Sequence, residues 1–124
     1  SIESQFLGGN GKDDRTTLNV CTPGTNMVID GNLITQHCTN SSSETFHGDQ
    51  WVTVEIEVRG SDELIHRING KSVFELKDIQ LDENDSDAKL LIEAGSNLLL
   101  SEGYIAIQAE SHPTQFRKIQ IKPL

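Results

Sequence analysis

The sequence predicts an all-β fold, an antiparallel sandwich or barrel. Apolar and polar residues alternate at period two over several short runs, and turn residues separate those runs. Helical periodicity is confined to one short stretch, which leaves few ways to cover a sheet except with another sheet.

The elements follow in chain order. Ile2–Leu7 reads as a strand already under way at the first residue, followed by a glycine-rich, charged loop over Gly8–Arg15. Met27–Ile29 and Leu33–His37 are short strands on either side of Asp30-Gly31, a turn dipeptide. Over Trp51–Val58 the alternation is clean: Val52, Val54, Ile56 and Val58 face one way, and Trp51, Thr53, Glu55 and Glu57 the other. Gly60–Glu63 is a turn, Leu64–Ile68 the next strand, Asn69-Gly70 a hairpin signal, and Ser72–Leu76 the return. Asp78–Asp87 is an acidic loop running into Ala88–Ala94, which has helical character. Gly103–Glu110 and Phe116–Ile121 read as two closing strands joined across residues 111–114. A sandwich that opens in mid-strand exposes an edge and part of its core. Upstream strands or a second chain are therefore expected to complete it.

Residues 1–124 are one domain's worth of chain. A formal net charge of -9 gives no basic patch for phosphates or an anionic bilayer, so neither nucleic acid nor membrane insertion is expected. The longest apolar runs, Leu90–Ile92 and Leu98–Leu100, are far too short to span a bilayer. The chain opens on Ser1 and reads as a mature or trimmed product. Between Cys21 and Cys38 stand Pro23, Gly24 and Asp30-Gly31, turn residues that let the chain double back. A disulfide is expected, worth about 3 kcal/mol on the chain-entropy model; the alternative is two free thiols. The bridge implies an oxidising compartment, hence a secreted or periplasmic protein.

The closing segment Gly103-Tyr-Ile-Ala-Ile-Gln-Ala-Glu-Ser-His-Pro-Thr-Gln-Phe-Arg-Lys-Ile resembles the signature G-x-I-x-L-Q-x-E-G-H-x-V-x-F-R-N-I of the 3-keto-disaccharide hydrolase family. Trp51-Val-Thr-Val-Glu-Ile followed by His66-Arg-Ile-Asn-Gly70 is similar to that family's strand pair ending in H-x-x-N-G. Ser1-Ile-Glu-Ser-Gln-Phe-Leu resembles its E-x-Q strand. The matches are in order and span nearly the whole chain. The resemblance implies a concanavalin A-like jelly roll, of which residues 1–124 are the C-terminal part of a longer family domain, lacking its N-terminal strands. Ser111, Thr114 and Lys118 depart from the pattern, the last where Asn is usual.

The resemblance also implies cleavage of a glycoside whose 3-hydroxyl is oxidised to a ketone. The ketone acidifies the C2 proton, so the reaction needs a base at C2, a cation or donor on the enolate oxygen, and an acid for the leaving group. Gln108 and Glu110 share a strand face with Tyr104, and His112 and Arg117 follow closely. These place Glu110 as base, His112 as acid or metal ligand and Arg117 as oxyanion partner. The alternative is a solvated strand face with Arg117 in a salt bridge. Glu3, Gln5, His66, Asn69 and Gln108 are the candidate substrate-binding residues. His66 equally fits a structural histidine, and Asn69 is preferred as a turn residue tolerating positive φ. A divalent metal would serve the enolate oxygen, yet no metal-ligand spacing joins His37 to His47 and the acidic run Asp82–Asp87 lacks the residues of a calcium loop. Trp51 either stacks on a sugar or, as strand-start Trp more often does, packs in the core. Two-carboxylate glycoside hydrolysis is disfavoured for want of a clustered acidic motif. The partner is then a carbohydrate, a keto-sugar or glycoside. The rival readings are a non-catalytic carbohydrate-binding or adhesion module, and a fragment active only after pairing with another chain.

Overall fold

The computed structural model describes residues 1–110 and 113–124. Eight strands and one helix form in the order β1 (Glu3–Gln5), β2 (Asn19–Cys21), β3 (Thr25–Ile29), β4 (Asn32–Ile34), β5 (Cys38–Thr39), β6 (Val54–Arg59), β7 (Glu63–Ile68), β8 (Lys71–Leu81) and α1 (Ser86–Glu93). They make two antiparallel sheets, one ordered β1-β2-β5 and the other β4-β3-β8-β7-β6.

The core fills the space between the sheets. Val20 of β2 belongs to one buried cluster with Met27, Leu64, Phe74, Leu76 and Ile79 of the larger sheet. A second cluster, Leu18, Ile68 and Val73, lies toward one end and is flanked by Phe6, Phe46, Val52 and Val54. On β6 the expected alternation holds. Val54, Ile56 and Val58 pair with Ile68, His66 and Leu64, all buried, so this set faces the core side. On the opposite side Glu57 receives Arg67 and Arg59 at 2.7 and 2.5 Å. The Arg67 hydrogen bond, then that of Arg59, holds the Glu57 carboxyl below its usual range. That carboxylate is committed to a surface ion pair.

The β7–β8 turn uses Asn69 (φ 51°) and Gly70 (φ 81°), the left-handed pair that a two-residue hairpin requires. Asp85 caps α1, accepting from the backbone N–H groups of Asp87 and Ala88 at 3.0 and 2.9 Å. The disulfide joins Cys21 and Cys38, which sit opposite each other on β2 and β5. No helix of the described residues is long and apolar enough to cross a membrane.

Three expectations are corrected. Asn19–Cys21 and Cys38–Thr39 are strands that the period-two pattern does not reveal, because a two- or three-residue strand is too short to alternate. The return strand runs on past Lys77 and into the expected acidic loop as far as Leu81, bending at Asp78 (φ 46°) and pairing with β3. Gly103–Glu110 and Phe116–Ile121 form no strands. Alternation supplies only one side of a ladder, and no neighbouring edge meets these segments.

Candidate active site

The orientation of β1 is fixed by its middle residue. The Ser4 hydroxyl lies 2.9 Å from His66 Nε2, and His66 Nδ1 lies 3.0 Å from the Leu18 carbonyl oxygen. A carbonyl only accepts, so Nδ1 carries the proton and Nε2 of the neutral ring accepts from Ser4. The ring is wholly buried, and burial lowers its pKa from the ordinary value, opposed by the Leu18 bond. His66 is thus a polar tie between the two sheets. It offers a sugar no surface, a correction to its place among the substrate-binding candidates.

Because Ser4 points inward, its neighbours Glu3 and Gln5 project from the outer face of the smaller sheet. They sit opposite Cys21 and Asn19. Asn19 is itself a scaffold: its Oδ1 accepts from Thr16 Oγ1 at 2.7 Å and from the Ser41 N–H at 2.9 Å. Further hydroxyl bonds lock the same region. Thr17 Oγ1 accepts from the Leu7 N–H, Ser43 Oγ from the Thr17 N–H, and Ser41 Oγ donates to the Thr17 carbonyl. The uncharged run Ser41-Ser-Ser43 was the sequence signal for this network, since such residues satisfy backbone groups where no ladder does.

The loop after β1 is held by His47, whose Nδ1 accepts from the Gly11 N–H at 3.0 Å. Gly9 runs alongside so closely that a Cβ there would sit 2.3 Å from His47 Nδ1. Among the described residues no group of three or more His, Cys, Asp or Glu is placed to hold a metal ion.

At the end of the sandwich where β1 stops and β6 starts, the closing segment is fastened twice. Phe116 meets Phe6 edge-on, with ring centroids 5.6 Å apart. The Arg117 guanidinium carbon lies 4.0 Å from the Trp51 ring centroid. An aromatic pair of this kind is worth about 0.5–1.5 kcal/mol and an exposed cation–π contact about 0.5–1 kcal/mol. The Asn69 turn shares this end, its N–H donating to the Thr53 carbonyl at 3.0 Å. Trp51 is half exposed and so is not core. Its strand-start position had favoured burial, and the exposed ring instead lies under Arg117.

Gln108 and Glu110 lie on the exposed closing segment, Gln108 Nε2 donating to Glu110 Oε2 at 3.4 Å. His112, the expected acid, lies outside the described residues. The structure therefore gathers Arg117, Trp51 and the Asn69 turn at one end, with Glu3 and Gln5 on β1. Gln108 and Glu110 stand on a segment that belongs to neither sheet.

Against known families, the model of the 3-keto-alpha-glucoside-1,2-lyase-like domain matches residues 1–122, nearly the whole chain. The chain belongs to this family. Its two facing antiparallel sheets are accordingly a concanavalin A-like jelly-roll sandwich, and the family's name points to an enzyme of the 3-keto-disaccharide hydrolase kind. No curated protein and no solved structure matched the chain. Family membership also gives Lys118 a physical context. Its φ is 54°, a left-handed conformation that Asn, the residue usual in the resembling signature, adopts more readily than Lys.

Proposed function

We propose that the protein cleaves 3-keto-glycosides by eliminating the group at C1. Glu110 takes the C2 proton, and the electron pair of that bond passes into the ring to form an enolate on the C3 oxygen. Arg117, steadied by Trp51, faces that oxygen. As the enolate collapses, a C1=C2 double bond forms and the C1–O bond breaks, the leaving oxygen taking a proton from His112. Water then adds at C1 and a proton returns to C2, so the net reaction is hydrolysis. Glu3, Gln5 and Gln108 bind sugar hydroxyls. The single observation that carries this reading is the family match over residues 1–122.

Two features favour a second reading, a carbohydrate-binding module without turnover. Trp51 is a half-exposed aromatic platform of the kind that stacks on sugars, and Glu110 stands apart from β1. One assay separates the two. The enzyme releases aglycone from a 3-keto-glucoside, whereas the module binds it unchanged. The Cys21–Cys38 disulfide supports an oxidising compartment, and with it a secreted or periplasmic location.

A further inference from the structure

His47 stands four residues before Trp51 and takes no part in the proposed elimination. Its backbone is built into the end of the sandwich. Phe46 flanks the buried cluster of Leu18, Ile68 and Val73 together with Phe6, and its carbonyl oxygen accepts from the Gly9 N–H at 2.8 Å. Thr45 Oγ1 accepts from the Arg15 N–H at 2.7 Å, and the His47 carbonyl oxygen accepts from Gln50 Nε2 at 2.7 Å. Phe6 in turn meets Phe116, and Trp51 meets Arg117. His47 is thus fixed to the framework that holds the Arg117–Trp51 pair. Four residues of chain span at most about 14 Å, so the two places lie within reach of one ligand.

The ring is held as firmly as the backbone. Its Nδ1 accepts from the Gly11 N–H at 3.0 Å. Gly9 lies flush against it, since a Cβ there would overlap both Nδ1 and Cε1. An Nδ1 that accepts carries no proton, so the proton of the neutral ring is on Nε2. Among the described residues nothing accepts from that N–H, and His47 is exposed. The loop has already removed the ring's rotamer freedom, so a ligand meeting this donor does not bear that entropy cost.

We propose that His47 is a substrate-binding residue, its Nε2–H donating to an oxygen of a glycoside bound beside Trp51 and Arg117. Every oxygen of a keto-glycoside accepts, and an uncharged donor meets it without the desolvation cost of a cation. That the ligand is a glycoside rests on the reading given under Proposed function; the fixed donor does not.

Two variants separate binding from a purely structural role. In His47→Asn the amide oxygen stands in for Nδ1 and keeps the Gly11 bond, but nothing replaces the Nε2–H. In His47→Gln the longer amide carries an N–H to the Nε2 position, and the Gly11 bond is lost. Each is titrated with a 3-keto-glucoside in the Glu110→Gln background, which slows turnover. Binding is read by calorimetry and by the fluorescence of Trp51, the single tryptophan. His47→Asn should melt like its parent yet bind about three- to tenfold more weakly. His47→Gln should melt earlier yet bind better than His47→Asn. In the parent, the nitrogen resonances of His47 should show the proton on Nε2 and shift as the sugar is added. Binding by His47→Asn within about twofold of its parent would assign His47 to the loop alone and overturn the proposal. A proton found on Nδ1 would overturn it too. A parent that binds no 3-keto-glucoside would overturn both this proposal and the carbohydrate reading. Weakened binding in His47→Asn, in a protein that releases no aglycone, would remove the catalytic reading and leave this one standing.

Discussion

Replacing His66 with Leu tests how the two sheets are held together. The ring is buried and bonded on both nitrogens, to Ser4 Oγ at 2.9 Å and to the Leu18 carbonyl at 3.0 Å. Leucine fills similar space but strands the Leu18 acceptor, whose residue is wholly buried. An orphaned buried acceptor costs about 1–3 kcal/mol, and the lost Ser4 bond adds about 1 kcal/mol. The expected loss in urea unfolding near neutral pH is therefore about 2–4 kcal/mol. The pH dependence carries a second signature. Burial lowers the His66 pKa, so below the ordinary value of about 6.5 the unfolded chain takes up a proton that the folded chain refuses. Wild-type stability from this group is complete above about pH 6.5 and falls as pH drops toward the folded-state value. His66→Leu should lose that slope, so the two proteins converge in stability between about pH 7.5 and about pH 5.5. Parallel curves over that window, or a loss under about 0.5 kcal/mol, would refute the assignment of His66 as a neutral inter-sheet tie.

Other outcomes follow from the same geometry. Thiol titration of the denatured, unreduced protein should find no free thiol, and Cys21→Ser with Cys38→Ser should lower stability by about 3 kcal/mol in denaturant unfolding. Gly9→Ala forces a Cβ to within 2.3 Å of His47 Nδ1 and 2.8 Å of Thr45 Cγ2, so thermal melting should show a loss of about 1–3 kcal/mol. Trp51→Ala should free Arg117 and reduce kcat for a 3-keto-glucoside more than it raises KM, with Trp51→Phe restoring most of the rate because a ring face remains. Equal activity in Trp51→Ala would leave Trp51 without a positioning role.

Much of the sandwich was legible because β6, β7 and the first part of β8 alternate over five or more residues between turn signals. At Asn69-Gly70 the turn chemistry marked the hairpin outright. What the pattern missed was short or bent. β2 and β5 are held in place by the disulfide and by hydroxyls of Thr17, Ser41 and Ser43, and long-range bonds of this kind leave no periodic trace. The disulfide itself was legible from the turns between its cysteines. The site was legible in residue type more than in place. The alternation of residues 103–110 is plain in the sequence, yet alternation alone supplies no neighbouring edge, and the segment forms no strand. His66 illustrates a different limit. Its alternating neighbours Leu64 and Ile68 placed it on the core face, but whether a core-face histidine meets a substrate or a carbonyl depends on Leu18, far away in the chain.

The central claim is that this chain eliminates the C1 substituent of a 3-keto-glycoside with Glu110 as base. Its most direct test is to incubate the wild type and Glu110→Gln with a 3-keto-glucoside and with its unoxidised parent, and to follow aglycone release. The account predicts release from the keto-sugar alone, and a fall of about 10²–10⁴-fold in Glu110→Gln, which keeps the shape but removes the base. Equal rates for wild type and Glu110→Gln, or equal release from the unoxidised glucoside, would contradict it.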